Sequence, residues 1–384
     1  MEAERKVREE EERKRQEAQR RREEEVRQQE EIARQQKEAQ EKQRQDQEQQ
    51  KAAKDAQKRK GAGAAGAAMD ERTKTEAEQR KTLGATTALD DWRIGRENLM
   101  RLKTENTRVV KADAQMKSAW GGLRRQVVRK FGQVTNDAES IARVSNEITQ
   151  LAMPPGGLHP LILNSFYSSI AKAIMQQAET EVTAEKASAI PIARVAHRLL
   201  GTLDGFADIF FAKLVQRVGA WPVPTAPPPA DYDGQQWKSD HERFGYRPSQ
   251  SSDGMESPPQ HVERVTGVMR VYFHILATPP GDKPISNRFF QPTRYWVWYA
   301  RALSHPSMLA SDVCASLIHA GLEIFGSDAR KIWGKQWTKV LALIYDLVKN
   351  GLGDGKVFGG TSPEGVASRM RVQLEIDSIM GAGN

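Results

Sequence analysis

From Leu89 towards the C-terminus, apolar residues recur at three- and four-residue spacing in one segment after another, a period that fits helices and not strands. "LDDWRIGRENLMRLKTENTRVVKADAQMKSAW" shows it first. "LHPLILNSFYSSIAKAIMQQAETEV", "AIPIARVAHRLLGTLDGFADIFFAKLVQRVG", "HVERVTGVMRVYFHILAT", "RYWVWYARALSHP", "MLASDVCASLIHAGLEIFG" and "ARKIWGKQWTKVLALIYDLVKNG" repeat it. No strand series is legible, and no Asn-Gly pair stands between two strand-like runs. The pattern predicts an all-α fold over residues 87–384, an irregular HEAT-like stack of helix pairs without a strict repeat. Pro154, Pro155, Pro160 and Pro191 fall where helices begin or end. Thr135 or Asn136 is the expected cap of the helix in "KFGQVTNDAESIARVSNEITQLAM". The Pro-, Gly- and Ser-rich stretch at about 222–260 is expected to be a disordered or extended loop.

Residues 1–60 differ in kind. They carry 19 Lys and Arg against 17 Asp and Glu, with Val7, Val26 and Ile32 as isolated apolar positions. Coiled-coil dimerisation needs apolar a and d positions through several heptads, so a solvated charged helix or a coiled-coil end is expected. The Gly- and Ala-rich run after it predicts a flexible linker over 61–86. The formal net charge is +8, and the first sixty residues account for only +2 of it, so the excess falls on the folded part and favours acidic partners. A single cysteine, Cys314, rules out an internal disulfide and a multi-cysteine zinc site and suits a reducing compartment. Asp208, Lys213 and Arg217 interrupt the most apolar segment, and the N-terminus has no apolar signal core. The expectation is an intracellular, soluble protein without membrane association.

Enzyme signatures fail one by one. "GLGDGKVFGG" lacks Walker spacing and a preceding strand, and reads as a turn. His241-Glu242 has no second histidine four residues on, and no Gly-x-Ser-x-Gly occurs. Cys314 lies on an apolar helix face, where packing is its expected role. Glu179 and Glu181 are two apart and point to different faces. A basic constellation is left. "KSAWGGLRRQVVRKFGQ" holds Lys117, Arg124, Arg125, Arg129 and Lys130 with no acid among them. Lys172 and Gln176 stand at i,i+4 on a second helix, and Lys213, Gln216 and Arg217 share one side of a third, whose Phe206, Ile209 and Phe210 face the core. Read from periodicity, these are either separate solvated faces or converging walls of an anion site. A nucleic-acid surface is the weaker expectation, because no aromatic platform is interleaved with the cations.

"KFGQVTNDAESIARVSNEI", "FYSSIAKAIMQQAETEV", "ASAIPIARVAHRLL" and "FFAKLVQRVGAWPVP", in that order, resemble the C-terminal domain of the GLFG-lethal (Gle-one) family of nuclear-pore mRNA export mediators. "VTGVMRVYFHILAT", "YWVWYARALSHP" and "GKQWTKVLALIYDLV" are similar to its closing segments, so the resemblance covers about 89–380. It implies a MIF4G/HEAT-like helical domain that binds and activates a DEAD-box RNA helicase at the cytoplasmic face of the nuclear pore complex, without enzymatic activity of its own. Inositol hexakisphosphate is the implied tether, and the C-terminal motif of an FG-repeat nucleoporin is a further implied partner. The resemblance carries ligand roles onto Lys172, Gln176, Lys213, Gln216 and Arg217, with an earlier contact near Arg125. Gln176 and Gln216 depart from the basic residues that occur at those places, which implies a less charged pocket. The block Tyr295, Trp296, Trp298 and Tyr299 could serve the nucleoporin motif, but its helical spacing favours core packing. Strong direct nucleic-acid binding is not expected.

Overall fold

The computed structural model describes residues 85–381, apart from positions 250–253, 282 and 354, together with part of 76–83. The charged helix expected over 1–60 and most of the expected linker lie outside them. Among the described residues the fold is all helical, without a named strand. The helices of ten or more residues are α1 (Ala88–Arg101), α2 (Ala114–Phe131), α3 (Ala138–Ala152), α4 (Pro160–Ala184), α5 (Ala189–Thr202), α6 (Phe206–Val218), α7 (Pro258–Ala277), α8 (Thr293–Leu303), α9 (Asp312–Gly321), α10 (Lys335–Asn350) and α11 (Pro363–Gly381).

Local chemistry sets their ends. Thr87 and Asp90 form a capping box at α1, the Thr87 hydroxyl accepting from the Asp90 amide at 3.1 Å and the Asp90 carboxylate accepting from the Thr87 amide at 2.9 Å. The cap of α3 is Asp137 rather than Thr135 or Asn136. Its carboxylate accepts from the Ser140 amide at 2.7 Å, and the Thr135 hydroxyl is itself spent on that carboxylate. Pro160 and Pro258 open α4 and α7, where the missing N–H costs nothing.

Two central helices, α4 and α7, organise the packing. Along one flank α4 meets α2 and α6, and α6 meets α1; along the other, α7 meets α5 and α9, and α9 meets α11. Where α4 and α7 touch, the fit is between backbones: a Cβ on Gly267 would stand 2.6 Å from the Ala178 carbonyl oxygen and 3.0 Å from the Thr183 hydroxyl. Only glycine allows this approach. Asp91, fully buried on α1, accepts from Arg288 at 2.7 Å, Arg294 at 2.8 Å and Arg301 at 2.7 Å, which pins α1 to α8 and the turn before it. Burial pushes this carboxyl up, but Arg294 and Arg301 outweigh it and hold it below the usual carboxylate range. The stability it supplies is therefore present above about pH 4 and lost as the pH falls further.

The aromatic block behaves as core: Tyr295, Trp298 and Tyr299 are buried, and Trp296 is half-buried among Trp333 and Trp337. Cys314 is buried, and burial pushes its thiol up to about 12, which makes it a packing residue. The stretch at about 222–260 is extended but folded onto the helices rather than disordered where described. It contains a short helix, Asp240–Phe244, and isolated bridges Ala230–Gln236 and Pro248–Met255. Trp237 lies against Trp92, with its indole N–H donated to the Pro228 carbonyl at 2.9 Å, and Asp231 pairs with Arg96.

Gly267→Ala and Gly122→Ala make a paired test of the central crossing. In α2 a Cβ on Gly122 meets nothing within 4 Å, so alanine should stabilise by roughly 0.5–1 kcal/mol through helix propensity. At Gly267 the same change forces a Cβ against a carbonyl and should instead destabilise by about 1–3 kcal/mol. Chemical denaturation of both variants checks the opposite signs.

Candidate anion-binding site

The basic segment Lys117 to Lys130 forms the exposed face of α2, and Trp120 docks that helix onto α4. Its indole N–H donates to the Ser165 carbonyl at 3.0 Å and the Ser169 hydroxyl at 2.9 Å. Arg124 lies over the Trp120 ring, 6.0 Å from its centroid. The chain before α2 passes through a π-turn at Leu102–Thr107 and a short helix at Arg108–Ala112, which bring Lys103 and Lys111 to the same cleft. Lys172 reaches it from α4, and Lys213 and Gln216 from α6.

The resulting cavity, about 840 Å³, is lined by seven cations, Lys103, Lys111, Lys117, Arg124, Arg125, Lys172 and Lys213, and by no carboxylate. Its deepest cation is Lys213, 7% exposed. Its ammonium donates to the Gln216 side-chain oxygen at 3.0 Å, and no carboxylate among the described residues is within ion-pair distance of it. Burial, then repulsion from Lys172, Lys103 and Arg217, lowers its pKa to about 8. Lys172 is shifted in the same direction, by burial first and then by Arg217, Lys111 and Arg124. Cations gathered without a matching acid repel one another until an anion neutralises them. A compact ligand with several negative groups suits this geometry, because the cations approach from three helices and the chain before α2.

Of the residues singled out from the sequence, Arg125, Lys172, Lys213 and Gln216 meet in this cavity. Arg217 and Gln176 do not line it, but Arg217 lines a smaller adjoining cavity of about 390 Å³ together with Lys172, Lys213 and Gln216, so five of the six expected residues lie along two cavities that share those three. Glu179 of α4 takes the Arg217 guanidinium on both its oxygens, and this pair holds the arginine out of the larger cavity. Gln176, one turn before Glu179, lines a neighbouring cavity of about 820 Å³ together with Arg217, Arg247 and Arg264. Arg129 is not a lining residue, and Lys130 is paired with Glu147 at 2.6 Å. Sequence reasoning missed Lys103 and Lys111, which stand apart from any basic run and reach the cleft only through the π-turn. It weighed Glu179 only against Glu181, for want of any local signal that Arg217 lies opposite.

Replacing Lys213 by Met tests the electrostatic cost. Below pH 8 the folded chain must hold the buried charge, whereas between about 8 and 10.5 the unfolded chain binds the extra proton and stability rises with pH. Without added polyanion, Lys213→Met should be more stable than the parent by on the order of 2–3 kcal/mol at pH 7, with the gap closing towards pH 10. Paired thermal melts across that range read the difference.

A profile of the family described as GLE1-like protein matches residues 97–345. The mRNA export factor GLE1 of Saccharomyces cerevisiae is 26% identical over 271 residues, covering 70% of this chain and 47% of that protein. The mRNA export factor gle1 of Schizosaccharomyces pombe is 26% identical over 269 residues, 67% of this chain and 52% of that protein. The chain thus spans about half the length of these curated relatives. Among solved structures, a complex of the S. cerevisiae Dbp5 C-terminal domain bound to Gle1 and IP6 aligns with a TM-score of 0.65 at 20% identity, covering 77% of this chain and 95% of the matched one, a likeness of fold. With the family profile extending over most of the described helices, the chain belongs to the GLE1-like family.

Proposed function

We propose that this chain is the helicase-binding part of an mRNA export factor, which binds inositol hexakisphosphate in the α2–α4–α6 cavity and uses it to tether a DEAD-box RNA helicase. The observation that carries the reading is the cavity of seven cations with no lining carboxylate and a buried, acid-free lysine at its floor. Six phosphates at about −1.5 to −2 each supply a charge density that separate monoanions do not. Its volume, 840 Å³, lies within the usual range for small-molecule sites. The names of the relatives and the IP6 in the similar complex support the same ligand and the same kind of partner. Lys172 and Lys213 act as point charges, Arg125 closes the α2 side, and Gln216 orients the Lys213 ammonium. Phosphates left at the rim meet the helicase, so one small molecule joins two proteins. The domain does no chemistry; by holding the helicase's two lobes apart it favours RNA release and restarts the ATPase cycle, at the cytoplasmic face of the nuclear pore. The C-terminal motif of an FG-repeat nucleoporin docks on surface other than Tyr295, Trp298 and Tyr299, which are buried.

The test is thermal unfolding of the whole chain with inositol hexakisphosphate beside sulfate at matched concentration, for the parent and for Lys172→Glu/Lys213→Glu. At a hundred times its dissociation constant the ligand should stabilise the parent by ~2.7 kcal/mol, about 5 °C, and leave the double variant unmoved. A companion assay measures the ATPase of a DEAD-box mRNA-export helicase. The chain alone should hydrolyse no ATP, and the helicase should turn over faster with chain and ligand together. A helicase rate unchanged by either addition sinks the activator reading. Direct RNA binding that weakens steeply with salt would instead assign the basic cleft to phosphate backbone.

A further inference from the structure

Arg217, which lines the smaller cavity adjoining the cation cleft with Lys172, Lys213 and Gln216, is held by an acid. Glu179 is on α4, with its side chain 11% exposed. Both its oxygens accept from Arg217 of α6. Arg247, from the extended stretch before α7, approaches the same oxygens at 3.4 and 3.5 Å, and Arg264 of α7 comes within 3.8 Å. Arg264 is otherwise committed to Glu256, at 2.8 and 2.5 Å, and to the Arg217 carbonyl at 2.7 Å. A single carboxylate therefore serves Arg217 and Arg247 together. Arg217 is one helical turn from Lys213 and shares the smaller cavity with Lys172, Lys213 and Gln216, so that with Glu179 uncharged and an anion in the cleft its guanidinium can turn from the carboxylate towards that anion.

We propose that Glu179 is a built-in acidic competitor of the polyanion: it withholds Arg217 from the ligand, and so determines how much negative charge a ligand must carry to bind tightly. The inference rests on the anion-site reading above. An anion must either be held without Arg217 or draw the guanidinium away from a paired, nearly buried carboxylate, and only a densely charged ligand can do the second. Glu179 touches neither a cation of the larger cavity nor the ligand directly. It is a positioning and specificity-determining residue that acts through Arg217.

Glu179→Gln keeps the shape and removes the charge. Isothermal titration of the full chain at low ionic strength, with inositol hexakisphosphate and with an inositol tetrakisphosphate, reads both affinity and discrimination. Glu179→Gln should bind the hexakisphosphate about tenfold tighter and the tetrakisphosphate tighter still in proportion, which narrows the gap between them. The gain should vanish in Glu179→Gln/Arg217→Gln and shrink as salt is added. A purely structural role for Glu179 moves affinity the other way, because loss of an ion pair loosens the site. Arg217→Gln in the otherwise unchanged chain gives a second reading that leaves Glu179 in place. It should cost less than about threefold in hexakisphosphate affinity, where Lys213→Gln costs tenfold or more. Equal or weaker hexakisphosphate binding by Glu179→Gln, or an Arg217→Gln loss as large as that of Lys213→Gln, overturns the inference while the anion site stands. No binding by the parent chain overturns both.

Discussion

The approach of Gly267 to the Ala178 carbonyl is the contact on which the remaining geometry depends. It lets α4 and α7 meet backbone to backbone, and α4 is then buried on nearly every side from Ser165 to Ala178. A helix so enclosed can turn only a narrow polar edge outwards. Lys172, Gln176 and Glu179 occupy that edge, and their positions follow from the packing of the opposite face rather than from interactions of their own. The partners α2 and α6 rest on the same helix, so all the helical walls of the cation cleft are referred to one fixed axis.

The electrostatic design divides the molecule. At Asp91 three arginines meet one buried carboxylate, and charge is matched where the fold needs strength. In the cleft every charged lining residue is a cation, and Lys213 is buried without an ion-paired acid. Such a site opposes the fold that contains it. Excess charge of this kind is unfavourable for stability alone, and it persists in folded proteins where a ligand relieves it.

Helix content was legible because each long helix shows its apolar stripe locally, and the aromatic block and Cys314 were legible as core for the same reason. The cleft was half legible. Arg125, Lys172, Lys213 and Gln216 stand on helix faces whose spacing is written in the sequence, but their convergence depends on helix crossings that spacing does not encode. Lys103 and Lys111 were hidden because a π-turn resets the helical phase between them. The Glu179–Arg217 pair joins residues 38 positions apart, and no short-range pattern announces it. The cap of α3 was misplaced by one or two residues, since Thr135, Asn136 and Asp137 all have suitable side chains and only the geometry chooses the carboxylate.

The docking of α2 through the Trp120 indole has a mechanical consequence. This helix is held to α4 by packing and two bonds from one ring nitrogen, while its basic face looks across an open cleft at α6. A small rigid body lodged there braces α2, α4 and α6 against relative sliding, as a keystone loads an arch. At the cleft end the helices face one another across open space, whereas at the aromatic end the rings of Trp337, Tyr295 and Tyr299 interlock. A load applied by a large partner would be borne without yielding only after the keystone is in place.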